Sequence, residues 1–191
     1  MLEGDAEDSP LLSRRLLLGA GLATATAALV GRLSPAQAAM PRAGRPRSLA
    51  FENLHTGEHL RATYWTGGGY DRQELARINH VLRDHRTGDV APIDPALLDL
   101  LHRLHAAMDS TAPFHVISGY RSPQTNATLA AKSGGVARKS FHTRGMAIDV
   151  RLPGRSLRSL RDAALALKGG GVGYYPKSDF VHLDTGPVRH W

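Results

Sequence analysis

A chain of 191 residues, 42% of them hydrophobic, has room for one domain plus appendages. With no cysteine there is no disulfide framework, no thiol nucleophile and no cysteine-ligated structural zinc. The 24 Lys+Arg against 17 Asp+Glu leave a net charge of +7 and favour polyanionic partners such as the bacterial wall, but the basic residues are scattered and not interleaved with aromatics, which argues against nucleic acid.

Residues 1–38 read as an export signal and not as fold. Ser13-Arg14-Arg15-Leu16-Leu17-Leu18-Gly19 is a twin-arginine pattern, an Ala/Gly/Leu-rich region follows to about Gly31, and Ala36-Gln37-Ala38 fits a small-residue cleavage site. The apolar run is too short for a bilayer crossing, so cleavage without later membrane insertion is expected, with export to the periplasm or cell envelope. Cleavage would remove three basic and four acidic residues, leaving 21 against 13. Residues 39–47 read as a Pro/Arg/Gly linker, and 48–191 as the domain.

Residues 48–54 and 58–65 are strand-like runs around His55-Thr56-Gly57, a hairpin pattern. Gly67-Gly68-Gly69 is a hinge or turn; no helix opening on Lys-Ser/Thr follows it, so it is not a phosphate loop. Asp71 caps a predicted helix to about Asp84, with Leu75, Ile78, Val81 and Leu82 on its apolar face. Asp94-Pro95 starts a second helix with Leu97, Leu98, Leu101, Leu104 and Met108 inward. His102, His105 and Asp109 on that helix read as a surface His–Asp pairing in preference to a metal site. Residues 114–118 form a buried-type strand whose Gly-Tyr turn presents Arg121 to a cleft, and an Ala-rich helix follows to about Lys132. Ser156 caps an amphipathic helix to Lys168, ended by Gly169-Gly170-Gly171, and strands are predicted at 172–175 and 179–184. The class is α+β, a small, mostly antiparallel sheet with helices packed on it.

The chemistry concentrates in two segments. Ser140 to Asp149 reads S-x-H-x-x-G-x-A-x-D, with His142 and Asp149 seven positions apart across Gly145. Asp149 sits in a predicted strand at 146–152, and His142 on the loop before it can fold back over that strand. Asp179 to Asp184 supplies a second imidazole, and alternation puts Phe180, His182 and Asp184 on one face and Val181 and Leu183 on the other. If the two strands are neighbours, His142, Asp149 and His182 converge. Two His and one carboxylate, with a fourth position left to water, is the ligand set of a catalytic zinc.

Three ordered motifs carry a resemblance. S-G-Y-R-S-P-x-x-N over 118–126, the S-x-H-x-x-G-x-A-x-D stretch, and G-V-G-Y-Y-P…D-F-V-H-L-D-T-G over 171–186 resemble the zinc D-Ala-D-Ala metallopeptidases, most closely the murein endopeptidase K branch, long known as a domain of unknown function. The resemblance covers about 49–191 and implies that family's fold, shared with hedgehog-like domains. It also implies one zinc per chain and hydrolysis of peptidoglycan stem-peptide crosslinks. Carried over, His142, Asp149 and His182 match the metal ligands, and Arg121 matches the residue that holds substrate and steadies the oxyanion. Ser140 matches a polar contact to substrate, and Tyr120 and Asn126 of the first motif join it as expected substrate contacts. Asp179, three residues before His182, matches the general base; Asp184 is its competitor, or else a carboxylate that orients the imidazole. The rival readings are a D,D- or L,D-carboxypeptidase on stem peptides and a non-catalytic, zinc-containing wall-binding module. A serine acyl-enzyme is disfavoured, because Ser118 to Arg121 lacks S-x-x-K and no G-x-S-x-G occurs.

Overall fold

The computed structural model describes residues 44–132 and 137–191. The expected signal peptide, and the linker up to residue 43, lie outside the described residues. Strand β1 (Arg47–Asn53) pairs antiparallel with β2 (His59–Thr66) across the predicted turn. Leu60, Ala62 and Tyr64 alternate inward along β2, as a half-buried strand requires. The glycine run turns β2 back into a two-residue strand, β3 (Gly69–Tyr70).

Helix α1 (Arg72–Val81) begins at Asp71, whose side chain accepts from the N–H groups of Gln73 and Glu74. It ends three residues before the expected stop. Asp84 explains this: its buried carboxylate accepts from the backbone N–H of Arg86 and of Ser122, so the chain must turn to reach it. Helix α2 (Pro95–Ala107) starts from the Asp94 cap and buries Leu97, Leu98, Leu101 and Leu104. The surface His–Asp pairing expected on α2 is not formed. His105 is buried against Phe114 with ring centroids 4.1 Å apart, and Asp109 lies beyond the Met108 cap at φ 45. A helix that buries five leucines, Leu100 among them, carries His105 into the core with them.

Strand β4 (Phe114–Ser118) and helix α3 (Pro123–Lys132) follow, then β5 (Ala147–Arg151), α4 (Leu157–Leu167), β6 (Gly171–Tyr175), β7 (Phe180–Asp184) and a two-residue β8 (Arg189–His190). Ser156 caps α4 as expected, but the left-handed residue that ends it is Lys168, at φ 49, not one of the glycines. All strands join one eight-stranded sheet in the order β3-β2-β1-β4-β5-β7-β6-β8. The α+β class holds, while the expected small, mostly antiparallel sheet is corrected to a larger, mixed one. β1 runs parallel to β4, and β6 parallel to β8. The 60 residues between β1 and β4 include two helices, long enough for the parallel return that a hairpin cannot make.

The core lies on one face of this sheet. Ile148 and Val150 of β5, and Val181 and Leu183 of β7, join the leucines of α2 and Leu160 of α4 there. The residues between them, Asp149, His182 and Asp184, therefore point to the other face. Among the described residues, no helix is long and apolar enough to cross a membrane.

Candidate metal centre

Each of the three site segments is held by its own local chemistry. Ser140 caps a short 3-10 turn (Phe141–Arg144), its Oγ accepting from the N–H of His142 at 3.3 Å. Gly145 closes the turn at φ 65, and a Cβ there would run into the Pro92 carbonyl. Its own carbonyl accepts from Asp94 N, which pins the turn to the start of α2. β5 and β7 are antiparallel neighbours, with Asp149 directly opposite His182 and Ala147 opposite Asp184. Gly119 passes so close to Leu82 that a Cβ would strike the Leu82 carbonyl, and this places the Gly119 carbonyl over the 3-10 turn.

Hydrogen bonds decide which nitrogens face inward. His142 Nδ1 lies 2.7 Å from the Gly119 carbonyl, which can only accept, so Nδ1 carries the proton and Nε2 presents a lone pair. His182 Nε2 lies 3.1 Å from Asp184 Oδ2, which leaves His182 Nδ1 facing the site. His142 Nε2 and His182 Nδ1 are then 3.2 Å apart. Asp149 Oδ1 lies 2.8 Å from His182 Nδ1 and 3.3 Å from His142 Nε2. Burial alone would raise the Asp149 carboxyl, but the two imidazoles hold it well below the usual carboxylate range. Burial alone would lower His182, yet Asp149 and Asp184 raise it to about 8. The carboxylates that favour a proton there would favour a metal ion in its place.

The donor set fits a zinc ion. Ligands about 2.0–2.1 Å from a tetrahedral zinc stand about 3.3 Å from each other, close to the three spacings found. This is the one group of His and acidic ligand atoms among the described residues close enough together to share a cation. His142, Asp149 and His182 are the residues that would hold it.

The remaining expected residues divide. Arg121 lines the cleft, its Nη2 3.8 Å from Asp149 Oδ2; its side chain is 11% exposed and its buried Nε has no partner. Burial pushes this guanidinium below its ordinary value, and Asp149 pulls it back. Ser140 also lines the cleft. Asn126 and Tyr120 do not. Asn126 is buried, donating to the carbonyls of Ala137 and Arg138 and accepting from Arg121, so it braces the Arg and the loop instead of meeting substrate. Tyr120 packs on the core, its N–H donating to the Leu82 carbonyl. Asp184 is fully buried, and both of its oxygens are engaged by Gly171, Gly186, Arg189 and His182. That geometry leaves it to orient His182, with no route to a solvent proton. Asp179 stands at φ 55 with its side chain 60% exposed, and accepts from Arg151 at 2.6 Å; its chain neighbours Ser178 and Phe180 line the cleft.

The cleft has a volume of about 650 Å³. Several of its walls are not among the expected site residues. Tyr175 and Phe180 face each other across the β6–β7 pair and stack at 4.6 Å, which the hairpin reading could have found by register. Lys139, Phe141, Arg189 and Trp191 also line it, and only folding brings them there.

Comparison with known proteins agrees with this geometry. A family model described as "Peptidoglycan L,D-endopeptidase MepK" matches residues 41–191. The protein of that name from Escherichia coli strain K12 is 48% identical over 179 residues, 94% of this chain and 97% of that protein, and the Shigella flexneri protein matches to the same extent. A Haemophilus influenzae protein, named "Probable peptidoglycan L,D-endopeptidase MepK", is 41% identical over 154 residues, 80% of this chain and 83% of its own length. A match across all the described elements, with identity over nearly the full length, establishes the kinship the three motifs suggested: this chain belongs to the peptidoglycan L,D-endopeptidase MepK family, of the zinc D-Ala-D-Ala peptidase kind.

Proposed function

We propose that this protein is a zinc-dependent endopeptidase that hydrolyses L,D peptide crosslinks of peptidoglycan in the cell envelope, after export on a cleaved signal within residues 1–38. The observation that carries the reading is the convergence of His142 Nε2, His182 Nδ1 and an Asp149 oxygen, with both outer imidazole N–H groups tied to protein acceptors. The bond class is that in the relatives' name. When bound, the ion supplies a Lewis acid for the scissile carbonyl and makes its water more acidic, with a pKa near about 7.

The chain's own residues do the rest. Arg121 offers a nearly buried cation beside Asp149, with an unsatisfied Nε, to the oxyanion that develops during amide attack. Asp179, between two cleft-lining residues, takes the water proton and delivers it to the leaving amine once its pair with Arg151 opens. Asp184 fixes the tautomer of His182. Lys139 at the cleft draws in the carboxylates of stem peptides.

The test is a digest of purified crosslinked muropeptides read by mass, with the protein stripped by chelator and then restored with zinc. Crosslinked dimers should fall to monomers only in the restored sample. Loss of a single terminal residue would instead identify a carboxypeptidase, and zinc-loaded protein that leaves every muropeptide intact would identify a binding module.

A further inference from the structure

Arg189 belongs to none of the three motifs, yet it touches both segments that carry the imidazoles. Its guanidinium lies between two rings, with its central carbon 5.3 Å from the Phe141 centroid and 5.1 Å from that of Trp191. Its Nη1 donates to Asp184 Oδ1 at 3.1 Å and its Nη2 to Oδ2 at 2.6 Å. Phe141 precedes His142 on the 3-10 turn, and Asp184 meets His182 on β7. We propose that Arg189 is a positioning residue of the metal centre, a clamp that sets the spacing of His142 and His182 by gripping Asp184 and Phe141 together. This rests on the metal-centre reading above.

The atoms of Asp184 give the reason. Oδ1 is held by the backbone N–H groups of Gly171 and Gly186, so it needs no arginine. Oδ2 is the oxygen that receives His182 Nε2, and Arg189 Nη2 is its one other partner among the described residues. A two-point fork fixes the rotation of a carboxylate plane, which a single donor cannot do. The fixed plane sets the direction from which Oδ2 accepts the imidazole N–H, and hence the rotation of a ring whose own torsion is broad. The exposed side of the pair would be worth little as a surface salt bridge. Its partner, however, is fully buried and bonded to a candidate ligand.

Cobalt(II) is the probe, because its absorption bands report ligand geometry directly. The purified protein and its Arg189→Ala, Arg189→Gln and Arg189→Lys variants are titrated with cobalt(II) against a competing chelator. The Ala and Gln variants should bind about 10–100-fold more weakly, with shifted bands, while the metal-free form still unfolds in one cooperative thermal transition. Added ethylguanidinium should restore part of the Ala variant's affinity, and Lys should not match the native residue. Native affinity and bands in all three variants would overturn the clamp, as would a change confined to KM, which would make Arg189 a substrate contact. If none of the variants folds, Arg189 is structural and the proposal is likewise overturned. Failure of the native protein itself to bind cobalt(II) would instead sink the metal-centre reading.

Discussion

At the scale of single residues, the proposed function separates groups that would hold an ion from groups that would move a proton. His142 is 2% exposed and spends its outer nitrogen on Gly119. His142→Ala should abolish zinc binding and hydrolysis together, measured by metal content and muropeptide digestion. Asp179 is exposed and outside the ligand set. Asp179→Ala should keep zinc bound while turnover falls by about 10²–10⁴, the usual worth of a positioned acid–base group. An active Asp179→Ala protein would reduce Asp179 to a partner of Arg151. The convergence of His142, Asp149 and His182 was legible from spacing and alternation. The burial of Asn126, and the choice between the two readings of Asp184, were not, because a polar residue in a motif reads the same whether it faces substrate or braces a neighbour. Only burial and bonded partners tell those apart.

At the scale of elements, the site depends on turns that accept no substitute. Gly145 is left-handed and its Cα lies against the Pro92 carbonyl, so a side chain there meets both strain and a clash. Gly145→Ala should cost at least about 1–3 kcal/mol of stability, read by denaturant unfolding, and should weaken zinc binding because the turn carries His142. Gly57→Ala, in the open hairpin turn at φ 71, meets nothing within 4 Å and should leave zinc binding untouched. Hairpins, caps and amphipathic helices were readable because their causes are local. Asp71, Asp94 and Ser156 each cap the helix they were expected to cap. The early end of α1 was not readable, because Asp84 stops it by bonding Ser122, 38 residues away.

At the scale of the whole molecule, one buried and one half-buried histidine make acid stability a property of the fold. Burial pushes His105 to about 4, and burial with the neighbouring His55 pushes His85 to about 4. Their folded values lie below the unfolded value of about 6.5, so the unfolded chain binds more protons between those limits. The contribution of these two histidines should therefore be flat above about pH 6.5 and fall as pH drops toward 4. Asp84 extends the loss. Burial opposes its ionisation, but hydrogen bonds from Thr125, Arg86 and Ser122 hold it at about 2, so its contribution disappears between about pH 4 and 2. His182 has the opposite sign: raised to about 8, it contributes fully below about pH 6.5 and cannot mask the fall. Thermal unfolding across pH 8 to 4 checks this, and His105→Leu should flatten the slope; an equal slope in that variant would remove His105 as a cause.

The sequence by itself determined the α+β class, most of the helix starts, the facing of β7 and the convergence of His142, Asp149 and His182. Those follow from period, caps and spacing, which are encoded within a few residues of where they act. Only the tertiary structure decided that β1 returns parallel beside β4, that Asp184 is sealed behind Arg189, and that Trp191 lies against His182 with ring centroids 5.4 Å apart. Each of these joins residues distant in the chain through packing. A contact of that kind leaves no periodic trace, because its energy is realised only when both partners have lost their water.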